Sequence, residues 1–344
     1  MKTSNQGVAF MLNQKEISRI CQNAHFNGNV LIAKGKDILF QEGFGFSDIE
    51  NKTPFTNESV FRIGSITKQF TALCILQLAE QGRLHLDDPI HHYIDGVDYE
   101  HVVTIHHLLS NCSGIPNFDP FGDYADLLAS DCFHERMIKE VILKPKLIFT
   151  PGERFEYSSS GFFILTYIIE IVSGMTYDTY LKDNVFSVLG MNHSGFHFID
   201  TNIDQFVCLY ELKNNQITEA MKINMRIASG AGGMYSTTYD LYLWGRGLIE
   251  NRLISDVYSK LMFSNQTPIN HTGGYGYGIL STRFEKGNIS HTCISHPGNG
   301  PGVFAQNMII DLDIQIILIS NINDKHIFYD CFNQLNDLVI EKLL

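Results

Sequence analysis

The sequence predicts an α+β protein in which one antiparallel sheet is assembled from both chain ends and flanked by terminal helices. A mostly helical region is inserted between the two halves of the sheet. Short β-rich runs, broken by Gly, Pro, Asn and Asp, stand near the N-terminus and again in the last third. Apolar segments with helical spacing fill the middle, and helical patterns close both ends of the chain.

An amphipathic helix is expected over roughly residues 14–25. "NVLIAKGKDILFQEGFGFSD" then places apolar runs on either side of Lys34-Gly35-Lys36-Asp37, the pattern of a β-hairpin. "ITKQFTALCILQLAEQGRL" and "SGFFILTYIIEIVSG" have helical spacing and end at glycines, which commonly terminate helices. "STTYDLYLWGRGLIE" opens on a Ser/Thr cap region and reads as a third helix. Four strand-like runs follow: "GYGYGILS", "NISHTCISH", "GVFAQNMIIDLD" and "IQIILISN". The last stretch sets Ile327, Cys331, Leu335, Leu338 and Leu343 near one helical face. We therefore expect a single unit, with an α/β region at about 1–62 and 268–344 and a helical region at about 63–267.

The 344 residues suffice for a large core, and 44% hydrophobic content with 18% charged is ordinary for a globular chain. A net charge of −12 without a basic run argues against a nucleic-acid or anionic-membrane partner. Seven cysteines, an odd number with no Cys-x-x-Cys pair, give neither a disulfide framework nor a zinc ribbon. Unpaired thiols favour a reducing compartment. No signal-peptide pattern is seen at the start, and no apolar run reaches bilayer length. A cytoplasmic protein is the expectation, with a mature secreted chain as the alternative.

Three stretches carry possible chemistry. In "FRIGSITKQFT", Ser65 and Lys68 lie three residues apart at the mouth of a helix, so they share a face. A serine needs a neighbouring base to become a nucleophile, and a lysine serves if burial holds its pKa down. With 23 serines and 16 lysines, however, composition alone supplies about one Ser-x-x-Lys. A helix cap beside a solvated lysine fits this stretch by itself at least as well. In "TPGERFEYSSSGFF", Tyr157 stands just before an apolar helix. It could exchange a proton if neighbouring cations lowered its pKa from about 10. As one of fifteen tyrosines, it could equally be packing at a helix entrance. In "CISHPGNGPGVF", His296 and Gly298 end a β-rich run, and a glycine there admits close approach by another chain or ligand. A Gly/Pro-rich hairpin with an incidental histidine is the plainer alternative.

The order of all three shifts the balance. Ser-x-x-Lys, then Tyr-Ser-x, then His-x-Gly on a late strand resembles the serine β-lactamase and penicillin-binding protein superfamily. More narrowly, it is similar to the branch of class C β-lactamases, D-alanyl-D-alanine carboxypeptidases and family VIII esterases. Further blocks extend the resemblance over almost the whole chain, among them "TIHHLLSNCSGIPNF" and "ASGAGGMYSTTYDLYLWGRGL".

The resemblance implies that Ser65 is the acylated nucleophile, Lys68 its partner in proton transfer, and Tyr157 the base or proton shuttle. It places the oxyanion hole at the backbone N–H groups of Ser65 and Asn299, and assigns Ser159, His296 and Gly298 to substrate binding. No cofactor and no metal is implied. Two departures stand out. Ser159 replaces the asparagine of the β-lactamases, so one hydroxyl donor stands where an amide would be. His296 replaces their lysine, making positive charge there pH-dependent. Peptidase-like and esterase-like members often carry that histidine.

The expected activity is therefore hydrolysis of small esters, amides or D-amino-acid peptides through an acyl-enzyme. A true β-lactamase and a non-catalytic scaffold on the same fold are the alternatives. The partner is a small molecule or short peptide, and the oligomeric state is left open. Histidines 85, 91, 92, 101, 106 and 107 crowd one region without a metal-ligand spacing, which favours a structural role.

Overall fold

The computed structural model describes residues 12–118, 125–128, 130, 132–196, 203–214 and 216–344. The N-terminal stretch read above for a leader lies largely outside these, at 1–11. Eight strands form an antiparallel sheet: β1 (Gly28–Lys34), β2 (Asp37–Phe44), β3 (Thr267–Asn270), β4 (Gly273–Tyr275), β5 (Leu280–Lys286), β6 (Ile289–Gly300), β7 (Val303–Ile310) and β8 (Ile314–Ser320). Their spatial order is β3-β4-β5-β6-β7-β8-β1-β2, so the two chain ends meet where β8 pairs with β1, Gly28 opposite Ser320. β1 and β8 are interior strands covered on both faces, which is why "NVLIA" and "IQIILIS" read as unbroken apolar runs.

One face of the sheet packs against the terminal helices α1 (Gln14–Asn23) and, last in the chain, α5 (Lys325–Leu343). Asn13 caps α1 by accepting from the Lys15 N–H; Asp324 caps α5 by accepting from the N–H groups of His326 and Ile327. The apolar positions of α5, from Phe328 through Leu335 to Val339, meet Val30, Ile32, Ile316 and Leu318. The opposite face, with Leu31, Ala33, Ile317 and Ile319, packs against the helical region.

Three helices of that region matter for the site: α2 (Thr67–Glu80), α3 (Ser159–Ser173) and α4 (Thr238–Ile249). Every residue of α2 from Thr67 to Ala79 is buried, so this helix runs through the core rather than over its surface. α3 ends at Gly174 in a left-handed turn, as its sequence predicts. α4 is capped by the Thr237 hydroxyl, which accepts from the Asp240 N–H. The stretch "GYGYGILS" is not one continuous strand. Between β4 and β5 the N–H groups of Tyr277 and Gly278 turn to the carbonyls of Met262 and Leu109, outside the sheet, so the ladder stops.

Five of the seven cysteines are buried, including Cys21 on α1 and Cys331 on α5, whose sulfurs lie 3.7 Å apart. Burial pushes the Cys293 thiol up to about 11 and that of Cys74 higher still. A thiol reagent added to native protein should therefore modify exposed Cys132 first and half-buried Cys208 more slowly. The other five should react only on unfolding; more than two fast thiols in a native titration would contradict this packing.

Candidate functional site

Ser65 does not open α2 directly. It sits in a single 3-10 turn, Gly64–Ile66, immediately before the helix. The turn is held from both sides. The segment Phe61–Arg62 pairs with Met234–Ser236, and the Thr67 hydroxyl donates to the Gly64 carbonyl at 2.7 Å. On the other side Gly64, at φ +51°, lies so close to β6 that a side chain there would strike the Asn299 backbone at 2.6 Å. The same closeness shapes β6. A Cβ on Gly298 would come within 2.0 Å of the Ile63 carbonyl oxygen. The glycine of His-x-Gly thus makes room for the chain that leads into Ser65. The space expected to admit a substrate beside it is filled by Ile63.

Lys68 lies one turn into the core and is fully buried. Its Nζ is 3.2 Å from Ser65 Oγ, 3.2 Å from Ser159 Oγ and 2.6 Å from the Ala231 carbonyl oxygen. Burial alone pulls this amine from its ordinary 10.5 to about 7. In the neutral amine two hydrogens can serve Ala231 and Ser159, leaving the lone pair for the Ser65 hydroxyl proton. The Ala231 carbonyl is delivered by the glycine-rich stretch. Gly230 threads between α2 and α3, its carbonyl accepting from Thr71 Oγ1 at 2.6 Å and its N–H donating to Thr166 Oγ1 at 3.1 Å.

Tyr157 is held by Asn111, itself buried at φ +54°. The Asn111 carbonyl accepts from the Glu156 N–H at 2.8 Å, and its Oδ1 accepts from the Ser158 N–H at 3.1 Å. Both neighbours of Tyr157 are thereby fixed. Although 38% of the residue faces solvent, its hydroxyl end is enclosed against Ser65. The ring lies over Lys68, with Nζ 4.9 Å from its centroid. The condition set for Tyr157, that neighbouring cations lower its pKa, is not met: burial raises it above 10, and the hydrogen bond with Ser65 only partly offsets that. Tyr157 therefore rests as a neutral phenol.

His296 departs from expectation in the same way. It is 2% exposed, and its Nδ1 is 2.7 Å from the Pro297 carbonyl oxygen, which can only accept. Nδ1 therefore carries the proton, and Nε2, 3.0 Å from Tyr275 Oη, accepts from that hydroxyl. Burial, with a smaller contribution from Lys68, pushes the His296 pKa down to about 3. It stays neutral at working pH and packs behind Tyr157, ring centroids 6.2 Å apart, so it is not the pH-dependent cation expected there.

Ser65, Tyr157, Ser159 and Asn299 all line one cavity of about 520 Å³; neither His296 nor Gly298 is among its lining residues. Ser159 also donates its N–H to Asn117 Oδ1 at 2.7 Å, and Asn117 lines the same cavity. Sequence reasoning missed Asn111, Asn117, Tyr275 and the Ala231 carbonyl. The first two stand in the "SNCSGIPNF" block, but nothing in one sequence says which backbone groups they hold. Among the described residues no cluster of metal-ligating side chains occurs, and His106 instead bonds Tyr277 Oη at 2.7 Å.

The sequence profile of the family described as Beta-lactamase matches residues 17–339. A penicillin-binding protein of Bacillus subtilis (strain 168) is 31% identical over 321 residues, which cover 86% of this chain and 68% of that protein. Among solved structures, a penicillin binding protein from Bacillus halodurans is 26% identical with a TM-score of 0.83, covering 94% of this chain and 98% of the other. The D-amino acid amidase of Ochrobactrum anthropi SV3 shares the fold at a TM-score of 0.80 and 22% identity, with 96% and 98% covered. An octameric penicillin-binding protein homologue from Pyrococcus abyssi is 26% identical, with a TM-score of 0.79 and 98% and 78% covered.

Proposed function

The chain belongs to the Beta-lactamase family, and from that premise we propose that it is a serine hydrolase in which Ser65 is acylated by small ester, amide or D-amino-acid peptide substrates. The observation that carries this reading is the contact between a fully buried Lys68 amine, held near pKa 7, and the Ser65 hydroxyl at 3.2 Å. Neutral Lys68 takes the Ser65 proton as Oγ attacks the carbonyl carbon. The oxyanion that forms is met by the backbone N–H groups of Ser65 and Asn299, a pairing supported by the close approach of Gly64 to the Asn299 backbone. Tyr157, a phenol in contact with Ser65, relays a proton to the leaving group and is reprotonated from Lys68. Water then enters by the reverse path and releases the acyl group. Ser159 keeps Lys68 in place by accepting one of its hydrogens.

A neutral, buried His296 offers no positive charge to a substrate carboxylate, which weighs against efficient turnover of β-lactams. The test is intact-protein mass after brief mixing with a chromogenic cephalosporin, with Ser65→Ala as control. We expect an adduct on the wild type, slow colour, and neither in the variant. Fast colour that depends on Ser65 would instead make this a β-lactamase. An adduct persisting in Ser65→Ala would remove Ser65 as the nucleophile.

A further inference from the structure

The cavity beside Ser65 has a character of its own. Apart from the catalytic groups it is walled by Phe118, Val207, Leu209, Met221, Ile223 and Val303, and its volume of about 520 Å³ far exceeds what an acetyl group needs. Three charged residues border it among the described ones: Arg62, Glu219 and Lys222. Arg62 is 5% exposed and engaged, donating to the Gly233 carbonyl at 3.2 Å with its guanidinium 5.4 Å from the Phe206 ring centre. Glu219 and Lys222 are exposed and opposite in sign.

The direction of the cavity matters as much as its lining. Along β6, His296 is closed off behind Tyr157, whereas Asn299, Gly300 and Pro301 border the open space. Tyr157 and Ser159 also border this volume, but its Leu209 and Ala220 wall lies past the oxyanion position, where a Cβ on Gly302 would come within 2.4 Å of the Leu209 Cβ. We infer that this site selects an uncharged, apolar acyl group substantially larger than acetyl, which the cavity buries while the leaving group departs on the Tyr157 side. This inference rests on the acyl-serine reading above.

The chemistry balances without a further reactant. Ser65 Oγ bonds to the acyl carbon, the alcohol or amine leaves with the proton that Ser65 gave up, and water later cleaves the acyl–serine ester. An acyl chain transferred from water into such a wall favours binding in the transition state with each buried methylene.

The experiment is a series of p-nitrophenyl esters from acetate to octanoate, together with the hemisuccinate as a charged match for the butyrate, on wild type and Ser65→Ala. We expect Ser65-dependent kcat/KM to rise by about two- to four-fold per added methylene before levelling. The hemisuccinate should be slower than the butyrate by more than ten-fold, an order-of-magnitude expectation for an unpaired charge in an apolar site. Met221→Asp, at a residue 55% exposed, and Ile223→Asp should each lower octanoate turnover more than acetate turnover. Ser65-dependent hydrolysis with a flat or falling chain-length series, or with the hemisuccinate preferred, overturns the apolar-acyl inference and leaves the acyl-serine reading standing. A rising series that neither variant flattens overturns the assignment of this cavity. Loss of all Ser65-dependent ester turnover and adduct formation overturns both readings together.

Discussion

Lys68→Met is expected to lower kcat/KM by about a hundred- to ten-thousand-fold, the range for removal of a positioned general base. The wild-type pH profile is the companion measurement. Only the neutral amine can accept the Ser65 proton, so kcat/KM should rise about ten-fold per pH unit below the Lys68 pKa and level off above about 7. In Lys68→Met that limb should vanish. Stability has the same sign. The folded pKa, about 7, lies below the ordinary 10.5, so between these values the unfolded chain binds the extra proton. Across that window this group's contribution to stability rises with pH by about 1.4 kcal/mol per unit; below about 7 the cost of holding the buried ammonium is fully present. The variant should lose this dependence while remaining folded. A folded Lys68→Met enzyme acylating at the wild-type rate would show that Lys68 only fills space.

Gly298→Ala should be nearly as damaging, though its side chain touches no substrate. The new methyl would lie 2.0 Å from the Ile63 carbonyl oxygen, and that neighbour is backbone with little freedom to yield. Either β6 moves off the Ser65 turn or the turn moves off β6. Overpacking of this kind costs about 1–3 kcal/mol of stability. The separation of Ser65 from Asn299 should also cost about a hundred- to a thousand-fold in kcat, as loss of an oxyanion donor does. Gly300→Ala is the control for packing and melting alone, because its methyl would meet only Val303 Cγ1 at an ordinary 3.6 Å while Gly300 itself borders the cavity. Thermal melting on both variants and ester turnover on Gly298→Ala would decide the matter. A Gly298→Ala protein with wild-type melting and rate would contradict the close docking described here.

Much of this architecture is legible in the chain because local pattern and burial agree. The all-apolar runs of β1 and β8 predict strands covered on both faces, and the cap at Thr237 starts one helix and the glycine at 174 ends another where propensity says they should. The order of Ser65, Lys68, Tyr157 and His296 along the chain likewise points to the family, since ordered spacing survives even where single motifs are common. Less legible is the protonation state of each group. Tyr157 was to exchange a proton if cations drew its pKa down, and His296 to carry charge at low pH. The first rested on neighbouring charge and the second on the ordinary behaviour of an imidazole, whereas the dominant influence on each is exclusion of water.

By itself, then, the sequence determined the sheet built from two ends, the helices between, and which residue types are available for acyl transfer. Tertiary structure decided what those residues are. It placed Lys68 against Ser65, Ser159 and the Ala231 carbonyl in the core, set the Asn111 clamp on either side of Tyr157, turned His296 to Tyr275, and filled the space beside Gly298 with Ile63. The physical reason is that pKa and reach depend on the density and polarity of everything packed around a group. In this site those neighbours come from segments distant in the chain, as the Lys68 contacts with Ser159, 91 residues away, and Ala231, 163 residues away, illustrate.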